Sequence, residues 1–578
     1  MVILGINAYH GDSSACLIRD GRLVAAAEEE RFRRIKHWAG FPSQAIGYCL
    51  AQAGIDLAAV EHVAVNSDPH ANRWRRIAYV LASKPSPALL LDRLRNRRRR
   101  NSVSGEFARL GTFNGSVHHI EHHLSHLASC FLVSPFEQAA VVSVDGFGDF
   151  SSAAWGVGRG SAIEVAARVY FPHSLGVFYQ ALTQYLGFPH YGDEYKVMGL
   201  APYGKPTWLD AMRDIVRLRA DGSFALNLRY FRHHRERVAY RWEEGAPQVS
   251  ELFSPELENL LGPRRRAGEP LDERHKDIAR STQAIYEEAF FNLLAAAQAL
   301  SGLTDIALAG GCAMNSVANG KIRRHTPFRR VYVQAAAGDA GGAIGAAFAV
   351  WHRLGGARSF VMEHAYWGPA FGAEEIAGVV AAHKSAIDRA SCTVDAVPDA
   401  AALCARVAAA IAEGKVVGWL QGRMEWGPRA LGNRSILCDP RRADMKDILN
   451  ATIKRRESFR PFAPSILAEY VAEWFEEDTD APFMTQVFQV RPERRPQIPA
   501  VVHVDGSGRL QTVSAAVNPL YHRLIDSFRA LTGVPMLLNT SFNENEPVVC
   551  TPQQALDCFL RTKMDMLVMG DMVICRPR

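Results

Sequence analysis

Short apolar runs separated by turn residues dominate the first 170 residues. The runs "VILGINA" and "ACLIRDGRLVAAAEEE" flank the polar turn "YHGDSS", and Asp20-Gly21 falls between two apolar stretches of the second run. An Asp-Gly pair in that position favours a two-residue hairpin turn. The pattern therefore predicts a hairpin that opens a β-sheet.

A similar order of strands and turns recurs further along the chain. The stretch "AAVVSVDGFGDFSSAAWGVGRGSAIEVAARVYF" has the pattern of strand, acidic Gly-rich turn, strand, Gly-containing turn and strand, and another Gly-bearing turn follows at "IALAGGCAMN". Sequence identity between the two strand units is poor, so the repeat is one of structure. The arrangement suggests the duplicated α/β architecture of sugar kinases, actin and Hsp70, in which such turns hold phosphate.

A change of character near residue 365 predicts a domain boundary. There "HAYWGPAFGAEEI" places Trp, Gly and Pro between Ala-rich helical segments. Further on, "AALCARVAAAIAEGKVVGWLQG" predicts a helix, a glycine stop and a buried strand. We therefore expect two α/β domains, at residues 1–365 and 366–578.

Composition and charge narrow the class of protein. A chain of 578 residues is too long to fold around one compact core. Its content of 48% hydrophobic and 22% charged residues excludes a disordered or fibrous protein. The net charge is only +6, and the basic run Arg93–Arg100 is typical of a solvated loop or helix end, so we expect no nucleic-acid partner. Ten scattered cysteines, no secretion signal and no apolar run of about 18 residues predict a cytoplasmic protein without a membrane span.

The stretch "SVHHIEHHLSH" holds five of the 20 histidines within residues 116–126. On a helix, three pairs would share a face: His118 with His122, His119 with His123, and His122 with His126. On such a helix, apolar residues at helical spacing would form a stripe that faces the core, and His122 and His126 would lie nearly opposite it. The stripe consists of Ile120, Leu124, Leu127 and Phe131. The pair would then face water or a cleft, and a solvated polar face is the alternative to a metal site.

Paired imidazoles suit zinc, iron or copper, but a metal site needs further ligands. Asp145 ends the apolar run "AAVVSV", and Asp339 lies in the Gly-rich turn "AAAGDAGGAIGAA". Both are candidate ligands, although aspartate is also common at turns and helix N-caps. Two histidines and two aspartates would leave open positions on a six-coordinate ion, which a Lewis acid needs if it is to bind substrate.

Ten motifs, in order along almost the full chain, resemble the NodU/CmcH family of O-carbamoyltransferases. They are "ILGINAYHGDSSACLI", "EEERFRRIKH", "EHHLSH", "VDGFGD", "GDEYKVMGLAPYG", "GGCAMN", "GDAGGAIGAA", "EWGPRALGNRSIL", "SFRPFAPSIL" and "LNTSFN". The resemblance implies an N-terminal Kae1-like transfer domain of the actin-like (ASKHA) class and a C-terminal YrdC-like domain. It further implies that carbamoyl phosphate and ATP, with Mg²⁺, form carbamoyl-adenylate, from which the carbamoyl group passes to a hydroxyl of a small molecule or natural product.

The resemblance also implies residue roles. It selects Fe(II), or another divalent metal, held by His122, His126, Asp145 and Asp339. It assigns carbamoyl phosphate to a basic set consisting of Arg429, Lys454, Arg460 and Arg509. The "LNTSFN" segment resembles the part of YrdC domains that contacts ATP, which makes Ser541 and Asn543 candidate nucleotide contacts, although both could simply satisfy a turn.

Residue chemistry suggests roles for five more positions. His10, in the turn "YHGDSS", is the candidate to accept or steer the hydroxyl proton, because imidazole titrates near neutral pH. Gly310, Gly311 and Asn315 would let the backbone approach a nucleotide, and Lys196 could face its phosphate. The alternatives are a histidine hydrogen-bonded in its turn and a surface lysine.

Two other functions compete with O-carbamoyl transfer. The chain could take part in threonylcarbamoyl modification of tRNA adenosine, since Kae1 and YrdC serve that pathway, but its modest net charge argues against an RNA partner. It could also be a non-catalytic nucleotide-binding module of the actin-like class, which fold alone does not exclude. The sequence leaves open the acceptor, the metal, the oligomeric state (a homo-oligomer included) and the roles of His118, His119 and His123.

Overall fold

The computed structural model describes residues 1–83, 103–236, 240–241 and 245–577. The chain divides into two compact units, Met1–Met362 and Glu363–Arg578. Each unit combines β-sheet with helices, so the predicted α/β class is confirmed. The basic run Arg93–Arg100 lies outside the described residues. Within the described residues, no helix is long and apolar enough to cross a membrane.

The strands of the first unit form two five-stranded sheets and two short hairpins. In chain order they are β1 (Val2–Asn7), β2 (Ser14–Arg19), β3 (Arg22–Glu28), β4 (His62–Val65), β5 (Ser116–His119), β6 (Gln138–Gly148), β7 (Ser151–Arg159), β8 (Ala162–Tyr170), β9 (Val216–Leu218), β10 (Phe224–Leu226), β11 (Tyr240–Arg241), β12 (Gln248–Val249), β13 (Asp305–Ala309) and β14 (Arg330–Val333).

The two large sheets have the same topology. The first has the strand order β3-β2-β1-β4-β5, and the second has the order β8-β7-β6-β13-β14. In each sheet three consecutive strands form an antiparallel meander, and two later strands add in parallel beside its first strand. The predicted duplication is therefore confirmed at the level of strand order.

The predicted hairpin between β2 and β3 is also present. Its two-residue loop is Asp20-Gly21, and both residues have positive φ angles, 50° and 75°. A type I′ turn requires positive φ at both central positions, which Asp and Gly tolerate better than most residues. The local sequence therefore determines this connection.

The helices of the first unit cover its sheets. They are Glu30–Arg33, Ser43–Ala53, Arg73–Ser83, Val103–Leu110, His122–Phe131, Leu175–Tyr185, Glu194–Leu200, Leu209–Ile215, Pro255–Leu261, Glu273–Ser301, Ser316–His325 and Gly342–Arg353.

Two of these helices, His122–Phe131 and Gly342–Arg353, pack closely against each other. A Cβ atom at Gly345 would overlap the carbonyl oxygen of Ser125, so the contact requires glycine. The small residues of "GDAGGAIGAA" therefore allow the turn that holds Asp339 to lie beside the histidine helix.

The second unit is built on one nine-stranded mixed sheet of order β15-β23-β22-β16-β17-β21-β18-β20-β19. The predicted helix and buried strand after residue 400 are present, as Ala400–Ala412 and β16 (Val417–Leu420). The other strands are β15 (Thr393–Ala396), β17 (Arg434–Cys438), β18 (Ala463–Leu467), β19 (Gln486–Gln489), β20 (Ser507–Val513), β21 (Met536–Ser541), β22 (Met566–Met569) and β23 (Met572–Cys575).

The remaining helices of the second unit are Ala373–Ala382, Lys384–Arg389, Met445–Ile448, Val471–Trp474, Pro519–Thr532 and Pro552–Arg561. A π-helical turn, Leu449–Lys454, directly follows Met445–Ile448. Such turns are rare and are often found at functional sites.

Candidate functional site

Two histidines and two aspartates converge in the first unit: His122, His126, Asp145 and Asp339. The Nε2 atoms of the two histidines lie 3.0 and 3.1 Å from Asp145 Oδ2, and 3.6 and 3.5 Å from Asp339 Oδ1. The two Nε2 atoms are 3.1 Å apart. Four potential ligand atoms therefore surround one point.

Three chain segments bring these side chains together. His122 and His126 occupy the first two turns of the helix His122–Phe131. Asp145 lies in β6 where its pairing with β7 shifts, between Val144 and Gly148. Asp339 begins a short 3₁₀ turn before the helix Gly342–Arg353. In a regular strand, successive side chains point to alternate faces of the sheet. A bulge or a turn breaks this alternation and can direct a carboxylate toward the histidines.

Neighbouring groups hold the cluster in place. The amide of Gly311 donates to Asp145 Oδ1 at 3.0 Å, and the hydroxyl of Ser174 donates to the Asp145 carbonyl at 2.9 Å. The backbone amide of His122 donates to Asp149 Oδ2 at 3.0 Å. Gly148 packs beneath the His122 ring, and a Cβ atom there would overlap it. None of these supports was evident from motif spacing.

Attraction between the histidines and the aspartates, and repulsion between like charges, both act within the cluster. His122 and His126 are 1% and 0% exposed. Burial disfavours charge on His126, but the attraction of Asp145 and Asp339 outweighs it and raises its pKa to about 9. Burial likewise disfavours charge on Asp145, yet both histidines hold its pKa well below the usual range. Burial and the neighbouring Asp145 raise the pKa of Asp339. Two adjacent carboxylates thus require a positive charge between them.

The donor set fits a divalent metal ion. Separations of 3.0 to 3.6 Å between these atoms match neighbouring ligands of one ion with bonds of about 2.1 Å. Asp339 Oδ1 is buried, faces both Nε2 atoms and accepts no hydrogen bond from any described residue. Imidazole nitrogen with carboxylate oxygen suits iron, zinc or manganese.

His10 lies against this cluster. Its ring stacks on the His122 ring with centroids 5.1 Å apart, and its Nδ1 is 4.0 Å from Asp339 Oδ2. The side chain is buried and comes from the turn between β1 and β2. A candidate proton acceptor is thus adjacent to the candidate metal ligands.

The other three histidines of "SVHHIEHHLSH" have structural partners. His118 and His119 belong to β5, and the helix begins only at His122, so two of the three helical pairings considered from the sequence do not exist. His118 contacts His62, and His119 Nδ1 lies 3.0 Å from the Ser67 carbonyl. His123 Nδ1 lies 2.8 Å from the Ser143 hydroxyl.

The expected exposure of the histidine helix was also wrong. His122 and His126 do not face water, because both are buried, as are residues on every side of this helix. The helix lies between β6 and the helix Gly342–Arg353. Leu124, expected in the core, is only half-buried. The prediction of one apolar and one polar face therefore does not hold for this helix, because other parts of the protein surround it on all sides.

The predicted nucleotide contacts of the first unit have defined environments. Gly310 has a φ of 90°, and a Cβ atom there would overlap the carbonyl of Val144. Asn315 caps the helix Ser316–His325 and exchanges two hydrogen bonds with Gln283. Lys196 lies 2.9 Å from Asp193 Oδ1. These contacts account for Gly310 and Asn315 structurally and leave their nucleotide roles as predictions.

Four arginines converge in the second unit. Arg509 is surrounded by Arg429, Arg456 and Arg460, and burial together with their charges holds its pKa well below the usual range. Arg460 Nη1 lies 3.6 Å from Glu457 Oε2. Clustered guanidinium groups are typical of sites that bind phosphate and other anions. Arg456 was not among the residues assigned to carbamoyl phosphate from the sequence.

Lys454 connects the π-helical turn to the "LNTSFN" segment. Its ammonium group donates to the carbonyl of Ser541 at 2.5 Å, and to the carbonyl and Oδ1 of Asn543 at 2.8 and 2.7 Å. Lys454 is 2% exposed. Lys454, assigned to carbamoyl phosphate from the resemblance, and the two candidate nucleotide contacts therefore form one hydrogen-bonded unit.

Arg434, a further arginine of the motif "EWGPRALGNRSIL", has a structural role. It is fully buried and donates to the carbonyls of Cys550, Gln421 and Pro369, among others. Nearby, Glu425 Oε1 accepts hydrogen bonds from three backbone amides, those of Leu431, Asn433 and Arg434. These two buried residues shape the loop that carries Arg429.

Comparisons with known proteins identify the family of the chain. Residues 2–348 match the family described as Carbamoyltransferase N-terminus, and residues 408–576 match Carbamoyltransferase C-terminus. The chain belongs to the NodU/CmcH carbamoyltransferase family. It is therefore a transferase, and the cluster of His122, His126, Asp145 and Asp339 lies in its carbamoyltransferase N-terminal region.

Named relatives of this carbamoyltransferase come from different settings. The nodulation protein NolNO of Sinorhizobium fredii is 38% identical over 98% of this chain and 79% of its own. The 3'-hydroxymethylcephem-O-carbamoyltransferase of Streptomyces clavuligerus is 34% identical over 62% of this chain and 60% of its own. The solved structure of HypF from T. kodakarensis aligns over 61% of this chain and 48% of its own, with 12% identity and a TM-score of 0.31.

Proposed function

We propose that this protein is an ATP-dependent O-carbamoyltransferase that acts through a carbamoyl-adenylate. The observation that carries the proposal is the convergence of His122, His126, Asp145 and Asp339 beside His10, within a chain of this family. The guanidinium cluster of the second unit supplies the anion-binding capacity that the donor requires.

The proposed reaction has three balanced steps. Carbamoyl phosphate and water give carbamate and phosphate. Carbamate and ATP, with Mg²⁺, give carbamoyl-adenylate and pyrophosphate. An alcohol oxygen then attacks the carbamoyl carbon, AMP leaves, and the alcohol proton passes to a base. An adenylate is needed because carbamate itself is a poor acylating agent, whereas AMP is a good leaving group.

We assign the first two steps to residues 366–578, as a YrdC-like domain. Arg429, Arg460 and Arg509 bind the phosphate of the donor, because planar guanidinium groups match phosphate oxygens bidentately. Lys454 holds Ser541 and Asn543 in position, and these two contact the nucleotide.

We assign the transfer step to residues 1–365, as a Kae1-like domain. His122, His126, Asp145 and Asp339 would hold Fe(II) or another divalent ion, which when bound supplies a Lewis acid for the developing oxyanion. His10 accepts the proton from the acceptor hydroxyl. Gly310, Gly311, Asn315 and Lys196 form the nucleotide side of this site. The acceptor is a small molecule, and the protein functions in the cytoplasm without a nucleic-acid or membrane partner.

The test separates the two half-reactions. ATP–pyrophosphate exchange that depends on carbamoyl phosphate and not on threonine measures adenylate formation, and it also separates this function from tRNA threonylcarbamoylation. Transfer is measured by mass spectrometry as the addition of one carbamoyl group to candidate alcohols. Absence of carbamoyl phosphate-dependent exchange would overturn the adenylate route.

A double substitution tests the cluster that carries the proposal. His122→Ala with His126→Ala should abolish transfer and spare exchange, because the second unit is unchanged. The matched control is His118→Ala with His119→Ala, two histidines of the neighbouring strand β5 that lie outside the cluster. Normal transfer by the first double variant would show that the metal assignment is wrong.

A further inference from the structure

A cavity of about 360 Å³ lies at the edge of the second sheet of the first unit, outside the His/Asp cluster. One wall is the edge strand β8 with the residues that follow it, and another is the hairpin of β9 and β10. Arg75, from the helix Arg73–Ser83, completes the lining. Its volume is in the range of sites for small organic ligands.

The cavity has an excess of positive charge. Three arginines line it, Arg75, Arg168 and Arg219, against one aspartate, Asp221. Arg168 is neutralised by Glu121, 2.9 Å away. Asp221 Oδ1 accepts hydrogen bonds from the amide and the hydroxyl of Ser223, so the carboxylate is held within its own turn. Within the described part of the chain, neither Arg75 nor Arg219 forms an ion pair with a carboxylate.

Four aromatic residues belong to the remaining lining, the half-buried Tyr170 and Phe171 and the buried Trp155 and Phe224. The guanidinium of Arg75 lies over the Tyr170 ring, 5.0 Å from its centroid. This contact orients the guanidinium plane while leaving its N–H groups available at the edge. Flat apolar surface and an oriented cation therefore occur together.

His173 adds a neutral donor. Its Nδ1 accepts a hydrogen bond from the Leu226 amide at 3.1 Å. Burial and the nearby charge of Arg219 lower its pKa to about 4, so the ring is neutral near pH 7. With Nδ1 accepting, the single ring proton is on Nε2.

We propose that this cavity binds a ring-bearing small molecule through its anionic group, a phosphate, sulfate or carboxylate. Arg75 and Arg219 hold the anion, because guanidinium groups donate paired hydrogen bonds to such oxyanions. The aromatic wall packs against the ring of the ligand. The anionic group belongs either to the carbamoyl acceptor itself or to a separate metabolite.

The cavity is linked to the His/Asp cluster through one ion pair. Arg168 pairs with Glu121, and Glu121 caps the helix whose first residue is His122, accepting a hydrogen bond from the Leu124 amide. A ligand here therefore lies next to the residue that fixes the start of the histidine helix.

Isothermal titration calorimetry of the full chain with 4-nitrophenyl phosphate tests the proposal, and the neutral analogue 4-nitrobenzyl alcohol isolates the contribution of charge. Arg75→Gln with Arg219→Gln should weaken binding of the phosphate probe at least about 30-fold, given two lost charge-assisted contacts. The control is Arg73→Gln with Arg217→Gln, which removes the same charge from exposed neighbours outside the cavity. It should change the affinity less than about twofold.

Absence of saturable binding, or equal weakening by both double variants, would overturn the proposal. All four arginines are exposed, and circular dichroism confirms that each variant is folded. If the probe raises the KM of a carbamoyl acceptor, the cavity is part of the acceptor site. If that KM is unchanged, the cavity binds a separate metabolite. The binding measurement uses no transfer reaction, so failure of the proposed function would leave this test intact.

Discussion

The imidazole ring of His10 stacks on that of His122, with ring centroids 5.1 Å apart. His10 follows β1 and His122 follows β5, two strands of the same sheet, and the His122 helix packs on β6 of the other sheet. A candidate base and a candidate metal ligand are thereby held at a fixed separation.

Substitution of His10 should affect only the transfer step. His10→Gln should lower the transfer rate by about 10²–10⁴, the usual contribution of a general base. Metal content and carbamoyl phosphate-dependent pyrophosphate exchange should stay unchanged, because His10 is not among the four clustered ligands. Rapid-quench measurement of transfer provides the test, with His119→Gln as the control. Unimpaired transfer would exclude His10 as the base.

Two glycine substitutions in the irregular end of β6 distinguish a contact that supports the metal site from a general effect of adding a methyl group there. Gly148→Ala places a methyl group against the His122 ring, whereas Gly146→Ala meets no atom within 4 Å. Displacing a ligand in this way should lower metal affinity about 10–100-fold, as the loss of a supporting contact does. Metal content after dialysis, measured by plasma mass spectrometry, should fall for Gly148→Ala alone. Equal metal content in both variants would contradict the proposed role of His122.

The arginine cluster should lower the stability of the ligand-free protein and, in return, allow it to bind an anion. The charge of Arg509 is opposed by burial and by Arg429, Arg456 and Arg460. Arg509→Met should therefore raise the Tm of the ligand-free protein by about 2–4 °C, equivalent to about 1 kcal/mol. Inorganic phosphate should raise the Tm of the parent and not of this variant. Calorimetry measures both effects.

Arg523→Met is the control for that experiment, because Arg523 is exposed and outside the cluster. It should leave both the Tm and its response to phosphate unchanged. A phosphate response retained by Arg509→Met would remove Arg509 from the donor site.

The contact between Asp12 and His37 should make stability depend on pH. Burial would lower the pKa of His37, but Asp12, 2.7 Å away, raises it to about 9. Since this exceeds the unfolded value of about 6.5, the stabilisation is complete below pH 6.5 and is lost as pH rises through about 9. Burial would raise the pKa of Asp12, and His37 lowers it, so its contribution is present above about pH 4 and lost on acidification.

Urea denaturation of the parent and of Asp12→Asn tests this pair. The difference in midpoint should be largest near pH 6 and should disappear by about pH 10. Both side chains are about one-third exposed, so we expect a small difference. A difference that is constant from pH 6 to pH 10 would show that another group determines it.

Sequence patterns located the features that depend on local chemistry. The Asp20-Gly21 turn and the Gly-rich approach to Asp339 follow from backbone conformations that few residues allow. Helical spacing left three histidine pairs open, the family resemblance selected His122 with His126, and the structure brings both to Asp145 and Asp339.

Features that depend on distant partners were not predictable in this way. His118 and His119 are in a strand because β5 pairs with β4, a contact that helical spacing ignores. Arg434 resembled its basic neighbours in sequence, yet tertiary carbonyls take its hydrogen bonds. Gly148 and Ser174 support the cluster through contacts that appear only after the chain has folded.

The repeated strand order of the first unit has a consequence for how activity could be turned on and off. His10 follows the first strand of one sheet, and Asp145 lies in the first strand of the other, so the two repeats contribute chemically different groups from equivalent places. In the proposed transfer, the base would therefore come from one repeat and a metal ligand from the other. A change in the angle between the two sheets would move His10 relative to Asp145 and would disturb the metal ligands, which belong to segments of both repeats, so the proposed reaction would depend on that angle.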